Sequence, residues 1–379
     1  MIARKGVSIP IAIMSLFLIF GCQKSEKKSN FELGEEHFYA SNYVKSIIRL
    51  ETWIREDDPG DLQGHNTKAR AMLTVMYHDD ETRQDLFQKE FKNLQNTGET
   101  GMAAVLKLVE HPTIASRLGN TISVILVKDG KLSVPPLMTY LKGPNQRLRS
   151  YAQDVLVDIG EQAVSSLVQL LDDADQYNRS RAIEALREIG DRSAIQPLEA
   201  KLSDSSGLVR VQAAAALHTM GQRSSTEKVI LDALEDENVQ TRRVAAKSVA
   251  EILDNPPLKP MLEALKDTDA DVRNHAALAT GKIRSSEAVK PLIKMLLEDE
   301  SDQVKASAAN SLGKIGKPAV DPLIKMLEEA KDVELIIWIV QTLGEIGDKR
   351  AIKPMEKIYK ETTNTVLQHE TAKALNNID

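Results

Sequence analysis

Eight aligned stretches of this chain end at Gly160, Gly190, Gly221, Leu253, Arg284, Gly316, Gly347 and Asp379, at intervals of 30, 31, 32, 31, 32, 31 and 32 residues. A fixed period in this range marks a repeat architecture, in which each unit buries its apolar face only by stacking on its neighbours. The constraint is severe. No single compact core is available, and the chain must extend along a stack.

Each unit carries a helical pattern. Counted from Arg210, one repeat reads Ala213, Ala214, Ala216, Leu217, Met220, Gly221. The same offsets from Lys305 give Ala308, Ala309, Ser311, Leu312, Ile315, Gly316, and from Arg179 they give Ala182, Ile183, Ala185, Leu186, Ile189, Gly190. Offsets of three, four and seven place these side chains on one helix face. Small residues on that face let helices approach closely, and the terminal Gly is expected to supply a left-handed cap. A second helix follows, as in Ala319-Val320-Asp321-Pro322-Leu323, Ala288-Val289-Lys290-Pro291-Leu292 and Ala194-Ile195-Gln196-Pro197-Leu198. Proline fits the first turn of such a helix, where its missing N–H costs nothing.

Two helices per unit of this length resemble the short HEAT-like repeat, the class also found in phycobilin lyases and deoxyhypusine hydroxylase. The resemblance covers roughly residues 115 to 379. It implies an all-α fold, a right-handed α-solenoid of stacked helix pairs. Gly130 and Val134-Pro135-Pro136-Leu137 read as a further unit with a degraded first helix, and residues 80–110 as a possible site for another.

The front of the chain differs. Arg4 and Lys5 precede an apolar run from Val7 to Phe20, which is too short to span a bilayer of about 30 Å as a helix but suits a signal-peptide core. Leu18-Ile19-Phe20-Gly21-Cys22 resembles a bacterial lipobox. That resemblance implies cleavage before Cys22, acylation of its thiol and a lipid anchor in the cell envelope. Cys22 is the single cysteine of the chain, so an intrachain disulfide and a cysteine-based zinc site are both excluded. Gln23 after the cysteine implies, by the enterobacterial sorting pattern, an outer-membrane destination facing periplasm or surface.

The expected organisation is a leader over 1–21, an acylated cysteine and flexible tether over 22–30, a helical region over 31–98 and the repeat solenoid over 99–379. Leu33-Gly34, Phe38, Tyr39, Ala40, Tyr43, Ile47, Leu50 and Pro59 fall close to tetratricopeptide spacing, with Trp53 where that family has a small residue. This region therefore resembles a tetratricopeptide unit and is expected to cap the open end of the stack.

Removal of Arg4 and Lys5 with the leader leaves 47 basic against 55 acidic residues, a net charge of −8. That balance disfavours general nucleic-acid binding. The sequence lacks the phosphate-cradling, nucleophile-elbow and zincin motifs. The di-iron site of deoxyhypusine hydroxylase needs several His-Glu pairs on repeat helices. Here His369-Glu370 stands alone, with Val211-Gln212, Asn274-His275 and Ala306-Ser307 at matching positions. Asp267, Asp269 and Asp271 imitate the start of a calcium loop, but Val272 and Leu278 occupy its required Gly and Glu positions. These acids read instead as helix caps facing Arg273. No metal, cofactor or catalytic residue is assigned, and the chain is not expected to be an enzyme. A lyase- or hydroxylase-like enzyme is the lesser alternative.

What remains is surface. The HEAT resemblance implies that second helices line a concave side. Three residues beyond the proline position stand Thr139, Gln169, Ala200, Asp232, Glu263, Lys294, Lys325 and Lys357. Four residues earlier, on the same face, stand Lys259, Lys290, Asp321 and Lys353 in the last four units. The expected binding stripe is Lys290, Lys294, Lys325, Lys353 and Lys357, suited to an acidic segment of an unidentified partner protein. The alternative is a solvated face on which Glu328, Glu329 and Glu356 balance the lysines. Ile336-Ile337-Trp338-Ile339-Val340 substitutes bulk for small residues, read as local repacking of a first helix lengthened by two residues. The sum is a membrane-anchored scaffold, or a non-catalytic subunit of an envelope assembly.

Overall fold

The structure is a computed structural model describing residues 30–39, 46, 49, 50, 65–78, 84–223 and 225–378. Cys22, the leader and residues 23–29 lie outside the described residues, as do Tyr43, Ile47, Trp53 and Pro59. Every regular element among the described residues is helical. The chain divides into two compact units, Met1–Leu118 and Gly119–Asp379.

The first unit contains α1 (Asn30–Tyr39), α2 (His65–His78), α3 (Gln84–Asn96) and α4 (Glu99–Lys107). Its core gathers Phe38, Leu50, Met72, Val75, Phe87, Phe91, Leu94 and Met102, each almost wholly buried. Gly34 is required by packing: a Cβ there would stand 2.7 Å from the Leu50 side chain. The Ser46 hydroxyl donates to the Gly34 carbonyl at 2.8 Å. Arg70 pairs with Glu90 at 2.7 Å between α2 and α3.

The helix α5 (Pro112–Lys128) is followed by α6 (Gly130–Leu141). The expectation of a degraded first helix before Gly130 is corrected here. α5 is a regular helix of 17 residues. Its buried face uses Ile114, Leu118, Ile122, Ile125 and Leu126 in place of alanine. Tyr151 ties it to the next repeat, donating to the Gly119 carbonyl at 3.0 Å and accepting from the Ser123 hydroxyl at 2.9 Å. Burial pushes the Tyr151 phenol up to about 12, the Ser123 hydrogen bond opposing it.

From there the first helices are α7 (Gln146–Ile159), α9 (Gln176–Ile189), α11 (Gly207–Thr219), α13 (Val239–Ile252), α15 (Ala270–Ile283), α17 (Asp302–Ile315), α19 (Val333–Ile346) and α21 (Thr365–Asn376). The second helices are α8 (Glu161–Leu170), α10 (Ile195–Ala200), α12 (Thr226–Asp232), α14 (Leu258–Ala264), α16 (Val289–Glu298), α18 (Val320–Glu329) and α20 (Ile352–Glu361). First helices pack on the first helices of adjacent repeats, and second helices fill the intervals, forming an all-α solenoid. Pro197, Pro260, Pro291, Pro322 and Pro354 are each the third residue of their helix, inside the first turn as expected.

Small residues permit the close helix approach. A Cβ on Gly281 of α15 would stand 2.9 Å from the Ser311 Cα of α17, and one on Gly344 would stand 2.6 Å from the Ala374 Cβ. Across the same seam Ser311 donates to the Ala277 carbonyl at 2.7 Å, and Ser307 donates to the Asn274 side chain at 2.5 Å.

The helix ends refine the expected caps. Gly190 and Gly347 are left-handed, with φ/ψ of 70/16° and 68/28°. Gly160 and Gly316 also have positive φ, but with ψ of −130° and −133° they leave the left-handed helical region. Arg284 takes φ 55° at the position five other repeats give to glycine. α17 and α19 are both 14 residues long, so the apparent lengthening before Gly347 is absent. Val333 aligns with Asp302, and Trp338 replaces Ser307, its half-buried ring packing against the core.

Candidate functional site

Two sets of cations mark the solenoid, and their surroundings differ. The first set lies at the turns leading into the first helices. Arg179, Arg242 and Arg273 each donate to the carbonyls five and six residues earlier, closing their own turn. Each also reaches the next repeat: Arg179 meets Asp204 at 2.8 Å, Arg242 meets Asp267 at 2.7 Å, and Arg273 meets Asp299 at 2.7 Å. Arg210 and Asp236 form a looser rung at 3.8 Å. Burial pushes Asp204, Asp267 and Asp299 upward, but the arginine hydrogen bonds and a backbone N–H bring each below the usual carboxylate range. In the sixth repeat Lys305 replaces the arginine, and its carboxylate contact is Asp302 of its own helix, at 3.7 Å.

This ladder accounts for the calcium-like triad. Asp267 is gripped by Arg242 through two nitrogens. Asp269 caps α15 by accepting from the Asp271 and Val272 N–H groups and pairs with Arg243. Asp271 stands 3.5 Å from Arg243. Arg273 takes the Asp267 carbonyl, and its carboxylate partner is Asp299 of the following repeat. Among the described residues no group of three or more His, Cys, Asp or Glu could hold a metal ion. Glu370 accepts from Gln341 at 2.9 Å, while Asn274, a matching position, is buried against Ser307.

The second set lies on the second helices. α16 and α18 bury Val289, Leu292, Met295 and Leu296, and Val320, Leu323, Met326 and Leu327 respectively. The opposite positions hold Lys290 and Lys294 on α16, Lys325 on α18, and Lys353 and Lys357 on α20, all exposed. Among the described residues no carboxylate lies within 4 Å of Lys290, Lys325, Lys353 or Lys357; Lys294 meets Glu298 at 3.8 Å. Glu356 sits near Lys360 instead, also at 3.8 Å.

Asp321 is the one acid at the paired positions of these helices. Arg350, in the turn before α20, holds it at 2.7 Å and also grips Asp348. Hydrogen bonds from the Arg350 side chain and backbone N–H lower Asp348 to about 2. Arg350 therefore screens the Asp321 charge beside the lysines. Sequence reasoning missed this residue, whose partner lies 29 positions away.

The structure brings two of the stripe residues to one recess. Lys290 and Lys294 rim a cavity of about 520 Å3, together with Leu262, Leu265, Lys266, Pro291, Met295, Glu298 and Asp299. Lys325, Lys353 and Lys357 stand outside it. No helix of the described residues is long and apolar enough to cross a membrane.

Comparison with known proteins adds family and fold. No curated protein sequence matches significantly. Among solved structures, YibA of Escherichia coli superposes with a TM-score of 0.50 at 22% identity, over 66% of this chain and 95% of YibA. The CpcE–CpcF complex of phycocyanin lyase from Nostoc sp. PCC7120 gives 0.35 at 18% identity, over 57% of this chain and 94% of that one. Human deoxyhypusine hydroxylase gives 0.30 at 19% identity, covering 69% and 98%. At 22% identity the likeness to YibA concerns the fold alone. The sequence profile of HEAT repeats matches residues 134–218, 227–304 and 289–376, well over half of the sequence. The chain belongs to the HEAT-repeat family.

Proposed function

We propose that this protein is a binding scaffold whose second-helix face receives an acidic segment of a partner protein. The observation that carries this reading is the row Lys290, Lys325, Lys353 and Lys357, exposed and without a carboxylate within 4 Å among the described residues. Lysines held by neighbouring acids would already be satisfied. These keep their charge for another molecule, and Arg350 keeps Asp321 from cancelling it. No catalytic role is assigned.

The scaffold is tethered to a bacterial envelope membrane through acylated Cys22, on a short polar tether over 22–30, with the outer membrane as destination. The lipobox-like run Leu18–Cys22 supports the anchor, and Gln23 after the cysteine supports the destination. Residues 31–98 are read as a tetratricopeptide-like region that precedes the solenoid. Gly34 packed against Leu50, close to that family's small-residue spacing, supports the tetratricopeptide-like packing.

The test is affinity capture from detergent-solubilised envelopes of the source organism, comparing the native chain with Lys294→Glu/Lys325→Glu/Lys357→Glu. A partner released by salt and lost in the variant is the expected result. Equal capture by both proteins would defeat the basic-face reading. Mass measurement of the membrane fraction tests the anchor: a diacylglyceryl-sized increment, absent in Cys22→Ser, is expected.

A further inference from the structure

We infer that the recess between α14 and α16 is an anchor pocket for one bulky apolar side chain of an acidic peptide segment. The inference deepens the basic-face reading and rests on it. The pocket follows from local chain geometry. α14 starts in register with α16, each with its proline third, but runs only seven residues from Leu258 to Ala264, whereas α16 runs ten to Glu298. The shorter helix leaves the flanks of Leu262 and Leu265 facing Pro291 and Met295, and the space between them is about 520 Å3. That volume falls in the range of about 300–1,000 Å3 typical of ligand sites.

The rim decides the chemistry of the occupant. Of its two acids, Asp299 is held by Arg273 through two nitrogens at 2.7 and 2.9 Å, and Glu298 meets Lys294 at 3.8 Å. Lys266 is occupied by Glu263 at 2.9 Å. Lys290 stands at the mouth with no carboxylate within 4 Å among the described residues. A simple polyanion would leave the apolar walls wet, and an uncharged apolar ligand would leave Lys290 unused. A leucine or phenylalanine flanked by Asp or Glu satisfies both. Such a buried anchor inside a polar rim is how interface affinity concentrates.

The test uses the full chain and two fluorescein-labelled octapeptides followed by anisotropy. One is Glu-Asp-Glu-Leu-Phe-Glu-Asp-Glu; the other has Ser-Ser for Leu-Phe at identical charge. The apolar peptide is expected to bind about tenfold more tightly than its twin, the worth of one modest buried anchor. Leu262→Asp should abolish that preference, and Pro291→Ser, which leaves the buried core untouched, should reduce it if Leu262→Asp lowers the melting temperature. Lys290→Glu/Lys294→Glu should weaken both peptides. If wild type binds the two alike and charge reversal weakens them equally, the pocket is refuted while the basic face stands. If neither peptide binds at low salt, both ideas fall.

Discussion

The arginines at the turns and the lysines on the second helices show how one repeat places charge for two purposes. Arg273 lies beside Asp299, both side chains mostly shielded, and contacts its own turn and the next repeat at once. Lys325, in a neighbouring repeat, is exposed, with no carboxylate within 4 Å among the described residues. A planar guanidinium can satisfy a carboxylate and two carbonyls in fixed directions, so it suits a rung between repeats. A lysine is a mobile point charge with a hydrated head, suited to meeting a second molecule. The contrast teaches that arginine here reports on what the stack needs, and unpaired lysine on what the stack offers.

The sharpest break is at the ladder. Arg273→Ala leaves Asp299 shielded and unpaired and frees two carbonyls, so a loss of about 3 kcal/mol is expected in urea unfolding. Loss of less than a few tenths would make the rung ornamental. Next comes the seam between first helices. Gly281→Val would drive a branched side chain into the Ser311 backbone and should cost about 2 kcal/mol, checked by the melting temperature.

Acid should act on the ladder before the lysine face. Asp204, Asp267 and Asp299 have folded pKa values below their ordinary ones, so they contribute stability that is full above the unfolded carboxylate value of about 4. That contribution is lost as pH falls through the lowered folded values. Thermal melts across this window should show a decline that Arg273→Ala has already partly removed. The smallest effect belongs to Arg284. Its φ of 55° is strained for any residue with a Cβ, so Arg284→Gly should stabilise by about 0.5 kcal/mol in the same melts.

Much of the fold was legible because its determinants are local. The spacing of Ala213, Leu217 and Gly221, and the first-turn position of Pro291, fix helices within a few residues of themselves. α5 escaped recognition as a full helix because its face is built from Ile114, Leu118 and Ile122, not from alanine. Trp338 was misaligned for a related reason: bulk at the Ser307 position blurs the register that small residues announce. For the candidate site, the lysine positions on their helices could be read from proline spacing, including their outward direction. The recess could not, since it depends on the lengths of two helices meeting across a repeat boundary. Nor could the grip of Arg350 on Asp321, which joins residues brought together only by stacking.

The most direct test of the division of labour between the two cation sets is paired measurement on Lys294→Glu/Lys325→Glu/Lys357→Glu: melting temperature and affinity for the acidic octapeptide. The account predicts melting unchanged within about 1 °C, as for surface substitutions, and binding lost. A variant that melts early, or one that binds the peptide as well as wild type, would contradict it.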